Sequence, residues 1–133
     1  MENKLPQVDD AVSALLSDLD ERGLLESTMV ILCGEFSRTP RMNNGHNGKG
    51  TPGRDHWGNS MFCLLAGGGI RGGQVIGATD AKGERPIARA VRPHHIHATV
   101  YQVLGLDPAL HLLDHQGRPA RVLEDPTPIE ELF

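Results

Sequence analysis

The residues of this sequence that could do chemistry are concentrated in segment 33–57, CGEFSRTPRMNNGHNGKGTPGRDHW, which begins at the last residue of an apolar run. Glu35 comes two residues after that run, and His56 stands just before the next one. Ligands of α/β folds gather beyond the carboxyl ends of the strands. A carboxylate and an imidazole there predict a divalent-metal site, for zinc, manganese, magnesium or calcium. The alternatives are a turn cap for Glu35 and, for His56, a loop histidine packed on Trp57.

Charged neighbours of these two residues extend the hypothesis to an anionic substrate. Arg38, Arg41 and Arg54 lie in the same loops, and a guanidinium group can bind an anion through two hydrogen bonds. Asp55 could orient His56 through its second ring nitrogen, or bind an ion directly. The alternative for the arginines is that they are merely solvated.

Two other motifs have weaker functional interpretations. Gly67–Gly72 fits the dinucleotide pattern G-x-G-x-x-G, but the residues after it look extended and no acidic residue follows at the expected distance. A turn between strands is the better interpretation. The run His94–His97 holds three histidines, and Pro93 places them in a first helical turn, where we expect surface histidines. His46, in the Asn/Gly-rich loop, is left unassigned.

Length, charge and cysteine usage restrict the class of protein. A chain of 133 residues makes one domain, and thirteen Lys+Arg against seventeen Asp+Glu, a net charge of −4, argue against nucleic-acid binding. No apolar run approaches the length of a membrane span, and no export signal is visible at the amino terminus. Cys33 and Cys63 both lie in apolar runs, so we expect buried, reduced thiols.

The elements that must position these residues follow from apolar periodicity. Helical spacing from Val8 to Leu19 predicts a first helix that Gly23 ends, and the segment 91–104 predicts a second one. Continuous apolar runs predict strands buried on both faces. The predicted strands and turns are 28–33, 61–66, a short strand at 74–76, a polar connection at 77–90, an edge strand near Val122 and a terminal turn from Pro128.

The order of these elements predicts an α/β layer structure that is incomplete. Two or three strands make a poor sheet, and an amphipathic first helix needs a sheet on which to lie. We therefore interpret residues 1–133 as a single partial domain, the back half of something larger. We also expect self-association through an open sheet edge.

Two blocks of the sequence carry a family resemblance. Gly34-Glu35-Phe36 with Arg38-Thr39-Pro40, and Gly53-Arg54-Asp55-His56-Trp57, closely resemble the carboxyl-terminal part of the sulfatase-like proteins of domain-of-unknown-function family 1501. These proteins are assigned to the alkaline phosphatase superfamily. The resemblance covers nearly the whole chain, and it implies a three-layer α/β/α alkaline-phosphatase-like fold, of which this chain is the carboxyl-terminal portion.

The resemblance also implies a chemistry. Superfamily hydrolases split sulfate or phosphate esters with one or two divalent ions. By position, Glu35 and His56 match metal ligands. Arg38, Arg54 and Asp55 would lie near the substrate anion or would contact the metal ligands from outside the metal site. Phe36 stands where a second ligand, a histidine, is usual, and His95 stands at a position that is usually acidic. The nucleophile of the superfamily lies on earlier strands.

The sequence thus predicts the carboxyl-terminal portion of a metal-dependent sulfatase- or phosphatase-like ester hydrolase, inactive alone, acting on a small anionic ester or saccharide. The alternative is a non-catalytic binding domain of the same fold that recognises an anionic ligand such as a sulfated or phosphorylated saccharide. Relatives commonly carry an export signal, so the resemblance implies an exported or periplasmic parent protein.

Overall fold

The computed structural model describes residues 4–45 and 48–133, so His46 lies outside the described residues. Its helices and strands are α1 (Leu5–Glu21), β1 (Met29–Cys33), β2 (Ser37–Arg38), β3 (His56–Trp57), β4 (Cys63–Gly67), β5 (Ala78–Thr79), β6 (Pro86–Ala88), α2 (Pro93–Val103), β7 (His111–Leu113) and β8 (Pro119–Arg121). Short 3₁₀ turns occupy Leu25–Ser27 and Glu130–Leu132. No helix in the described ranges is long and apolar enough to cross a membrane.

The strands form four two-stranded sheets: β1 with β4, β2 with β3, β5 with β6, and β7 with β8. The last three pairs are antiparallel. Two helices with four small sheets, in the part of the chain that is described, neither add up to a three-layer α/β/α fold nor exclude one. That architecture therefore stays a prediction.

The two helices lie where the apolar periodicity predicts them, but few of their residues are buried. Helix α1 begins at Leu5, with proline in its first turn, and none of its residues is buried. Helix α2 buries Ala98 and Thr99, whereas Leu104, the last residue of the predicted helix, follows the end of α2 and is 67% exposed. Helix α1 therefore keeps an apolar stripe without a covering layer among the described residues.

Strands β1 and β4 lie within two residues of their predicted bounds, but the predicted burial on both faces is wrong. Every residue of these two strands is exposed or only half-buried. The expectation of two buried thiols fails with it, since Cys33 is exposed and Cys63 is intermediate. Both cysteines are free, as expected. A central strand needs a layer on each face to be buried, and the described residues do not supply those layers.

Two hairpins depart from the sequence expectations. The predicted strand at 74–76 is absent, and β5 and β6 lie instead within the segment expected to be a polar connection. The carboxylate of Asp80 builds the turn between them, because its Oδ1 accepts hydrogen bonds from the backbone N–H groups of Lys82 and Glu84, at 3.2 and 2.7 Å. The predicted edge strand near Val122 corresponds to β8, which pairs with β7.

The chain divides into two compact units. The first comprises Met1–Ile31, Leu65–Gly73 and Pro93–Phe133, and its small core consists of Ala98, Thr99, Ile129 and Leu132. The second comprises Leu32–Leu64 and Gln74–Arg92, and it contains all five residues predicted for the site.

Candidate functional site

The β2–β3 ladder brings predicted site residues together in the second unit. Its antiparallel register sets Arg38 opposite His56 and Ser37 opposite Trp57. The rings of Phe36 and His56 stack, with their centroids 3.7 Å apart and their planes at 25°. The guanidinium carbon of Arg38 lies 5.6 Å from the centroid of the Phe36 ring, within the range of a cation–π contact. We call Glu35, Phe36, Arg38, Arg54 and His56 the arginine corner.

The two residues predicted as metal ligands are both at this corner. Glu35 is exposed and directly precedes Phe36, and His56 is exposed although its ring stacks on that of Phe36. Within residues 4–45 and 48–133, neither belongs to a group of three side chains that could hold an ion. Two ligands rarely hold a divalent ion tightly, so the corner by itself is at most part of a metal site.

Arg38 and Arg54 are both at the corner, and they are linked. The Arg38 Nη1 donates a hydrogen bond to the backbone carbonyl of Arg54, at 3.3 Å. Both side chains are exposed, so their guanidinium groups remain accessible to a solute.

Asp55 makes hydrogen bonds within its own loop. Its Oδ1 accepts a hydrogen bond from Asn43 Nδ2 at 2.7 Å, and its backbone exchanges hydrogen bonds with Thr39. Asn43 Oδ1 in turn accepts from the backbone N–H groups of Gly45 and Gly53. Asp55 therefore joins the two ends of the loop between β2 and β3. Asn43 is at the centre of the hydrogen bonds in that loop, and the sequence reasoning did not single it out.

A cleft of about 320 Å³ opens beside this loop. Its walls are Thr39, Pro40, Arg41, Met42, Asn43, Asp55, Trp57 and Glu84. The indole of Trp57 is fixed there, because its Nε1 donates to the backbone carbonyl of Glu84 at 2.7 Å. The cleft thus combines one aromatic wall with charged and amide groups, as small polar ligands require.

A second cluster lies in the first unit, and the sequence reasoning missed it. Asp125 Oδ2 is 3.2 Å from His94 Nε2 and 3.6 Å from His95 Nε2, and the three ligand atoms lie within 4.8 Å of one another. The side chains are 40%, 31% and 16% exposed respectively, so these two histidines are not the surface residues expected. His97 is exposed, as expected.

The ionisation of Asp125 follows from its surroundings. Hydrogen bonds from the side chain and the backbone N–H of Thr127 lower its pKa, and the charges of His94 and His95 lower it further. The backbone bond joins Thr127 N to Asp125 Oδ1 at 3.0 Å. The signal in the sequence was the adjacent histidine pair, but nothing local connects it to Asp125.

One comparison with known proteins is informative. A family model described as "Protein of unknown function (DUF1501)" matches residues 1–133, so the chain belongs to that family. This confirms the family resemblance seen in the two sequence blocks. No curated protein and no solved structure matches the chain significantly.

Proposed function

We propose that this chain is the carboxyl-terminal portion of a metal-dependent sulfatase- or phosphatase-like ester hydrolase. The observation that carries the proposal is the arginine corner, where His56 stacks on Phe36 and the Arg38 guanidinium group lies 5.6 Å from the centre of the same ring. The same guanidinium group donates to the backbone carbonyl of Arg54, and Glu35, the second possible metal ligand, directly precedes Phe36. Such a corner provides part of a binding site for a metal ion. It also provides arginine groups for the anionic ester that the metal ion would activate. A nucleophile and further metal ligands would come from other strands.

The accessible surface supports an incomplete domain. The chain exposes 10019 Å², whereas a folded monomer of 14.4 kDa exposes about 6,800 Å². Permanent interfaces bury about 2,000–5,000 Å² or more counted over both partners, so an excess of about 3,200 Å² on one side corresponds to an interface at the large end of that range. An amino-terminal half of the same domain would cover such a surface, including the apolar stripe of α1.

A comparison of two proteins tests the proposal. The 133-residue chain and a longer form that carries an amino-terminal half would be assayed on aryl sulfates and aryl phosphates with zinc, calcium, magnesium and manganese. We expect turnover from the longer form only, and a loss of at least about 100-fold with Glu35→Ala or His56→Ala, because parts of one site act as a unit. Arg121→Ala, on β8 in the first unit, is the control.

Two results would end the proposal. The first is a longer form that binds no stoichiometric metal and is inactive. The second is metal-dependent turnover by the 133-residue chain that the Glu35 and His56 variants do not affect.

The cleft favours a second candidate, a non-catalytic domain that binds an anionic saccharide. Phenylalanine cannot ligate a metal, and in this chain Phe36 fills the position with a stacked ring. Arg41 and Trp57 both line the cleft, and sugars commonly pack on aromatic rings while their anionic groups bind arginine. Binding of a sulfated disaccharide without metal, weakened by Arg41→Ala and not by Arg121→Ala, would favour this function over the enzyme.

A further inference from the structure

We propose that His94, His95 and Asp125 form a binding site for a divalent transition-metal ion of the zinc type, separate from the arginine corner. All three residues belong to the first unit, and the proposal does not depend on the proposed hydrolase function. Two imidazoles and one carboxylate are the donor set of many three-ligand zinc sites.

The distances between the ligand atoms fit an ion. Zinc bonds to imidazole nitrogen and carboxylate oxygen at about 2.0–2.2 Å, so ligand atoms around a tetrahedral ion lie roughly 3.3–3.5 Å apart. Asp125 Oδ2 lies 3.2 and 3.6 Å from the two Nε2 atoms. The three ligand atoms all lie within 4.8 Å of one another, so two of the three separations already match those around a bound ion and the third is limited to a short range.

An unsatisfied nitrogen distinguishes this cluster from a simple ion pair. The His94 Nε2 atom is buried and makes no hydrogen bond to any described residue, even though Asp125 Oδ2 is only 3.2 Å away. A buried polar atom without a partner destabilises the folded state, because it has lost its hydrogen bond to water. Coordination to an ion would satisfy this nitrogen, which the present contact with the carboxylate does not.

The carboxylate is held so that one oxygen is available. Asp125 Oδ1 accepts the hydrogen bond from Thr127 N at 3.0 Å, and Oδ2 is the oxygen near both histidines. In metal sites, a ligating side chain regularly makes a hydrogen bond through its other polar atom, and this bond fixes the orientation of the ligand.

The two chain segments that meet in the cluster are tied together by a buried hydroxyl. Thr99 Oγ1 donates to the carbonyl oxygen of His95 at 2.8 Å and accepts from the backbone N–H of Ile129 at 2.9 Å. Thr99 is fully buried and Ile129 is 4% exposed. Helix α2 and the segment after β8 are thus held in register before any ion binds, which favours affinity.

The ligand set indicates the class of ion. Imidazole nitrogens suit zinc, nickel, copper and iron, whereas calcium and magnesium prefer oxygen ligands. Three protein ligands leave at least one coordination position for water or an anion. The site would therefore bind zinc-type ions in preference to calcium, and would keep a position open for exchange.

Titration calorimetry of the 133-residue chain with Zn²⁺ tests the proposal. We expect one equivalent to bind, with affinity reduced at least about tenfold in His95→Ala and in Asp125→Asn. The matched control is His97→Ala, which removes an exposed histidine from the same helix. Co²⁺ serves as a second probe, because its visible spectrum reports ligation by imidazole and should change in the same variants only.

Two further measurements separate the possible outcomes. Zn²⁺ should raise the thermal unfolding midpoint of the wild type and of His97→Ala but not of Asp125→Asn, a readout that does not assume activity. The double variant Glu35→Ala/His56→Ala should bind Zn²⁺ as the wild type does. Zinc binding lost in that double variant and retained in Asp125→Asn would overturn this inference while supporting the metal part of the proposed function. Absence of binding to the wild type would overturn it outright.

Discussion

At the scale of single residues, the two cysteines have different environments and should differ in reactivity. Burial, followed by the neighbouring thiol of Cys33, raises the pKa of Cys63 from 9.0 to about 11. At pH 8 this leaves about a hundredfold less thiolate than an unperturbed cysteine would carry, and the thiolate is the reactive form. Cys33 is exposed, so iodoacetamide should label Cys33 well before Cys63, as peptide mass spectrometry would report.

The same shift in pKa has a consequence for stability. The unfolded chain begins to lose the Cys63 proton near pH 9, while the folded chain keeps it until about pH 11. The free energy of unfolding should therefore fall as pH rises from 9 to 11, and Cys63→Ser should flatten that fall. Equal labelling rates for the two cysteines at pH 8 would contradict this account.

Asn43 leads to a second prediction at the residue scale. Its side chain donates to Asp55 and accepts from Gly45 and Gly53, so Asn43→Ala removes three hydrogen bonds that shape the loop beside the cleft. Each such bond contributes about 1 kcal/mol, and the loss should appear as faster hydrogen exchange at the Gly53 and Asp55 amides. Asn44→Ala, at the exposed neighbouring position, is the control. Unchanged exchange in Asn43→Ala would show that the backbone alone holds the loop.

At the scale of elements, the glycines that end β4 differ in how much room they have. Gly67 and Gly69 both have positive φ, at +71° and +74°, so alanine pays a conformational cost of about 1–2 kcal/mol at either position. A Cβ at Gly67 would also collide with the carbonyl oxygens of Thr28 and Leu25, whereas a Cβ at Gly69 meets nothing within 4 Å. Residues 68–69 form a turn after β4, as the sequence predicted.

The resulting prediction is a contrast between two matched variants. Gly67→Ala should lower the free energy of unfolding by at least about 2 kcal/mol more than Gly69→Ala, because only the first displaces backbone. Urea denaturation of both variants measures the difference. Equal losses would mean that the approach of β4 to residues 25–28 is looser than the structure has it.

Sequence patterns could predict some elements and not others, for physical reasons. Helices α1 and α2 were predictable because a period of 3.6 residues is visible over ten or more positions. Strands β5 and β6 have two and three residues, too few for any alternation, and the Asp80 side chain that builds their turn acts through local hydrogen bonds. Burial was not predictable either, because whether a strand is covered depends on layers that other segments provide.

One candidate site could be predicted in part from the sequence, and the other could not. The sequence placed Arg38 and His56 in two loops beside two apolar runs, and the β2–β3 ladder sets these two residues opposite each other. The partnership of His94 and His95 with Asp125 could not be predicted, because it depends on the tertiary contact made by Thr99 and Ile129. Contacts between distant segments leave no periodic signal in a single sequence.

At the scale of the whole molecule, the chain buries few apolar side chains and exposes many large ones. Only Ala98, Ile129 and Leu132 are buried apolar residues among those described, while Phe62 is 76% and Val75 is 95% exposed. Large exposed apolar areas mark surfaces that another protein segment covers. A small core and a large exposed surface both predict low stability for the isolated chain.

The isolated chain should therefore associate with itself, in part through the uncovered stripe of α1. Leu5, Val8 and Leu15 are 61%, 47% and 47% exposed on that helix. Leu15→Glu should shift the sedimentation velocity distribution towards monomer at a fixed concentration, since a charge cannot be buried in an apolar contact without a partner. Ser17→Glu introduces the same charge away from the stripe and should leave the distribution unchanged. A wild-type chain that stays monomeric at high concentration, with a cooperative unfolding transition, would show that the surface needs no cover and would remove the main support for an incomplete domain.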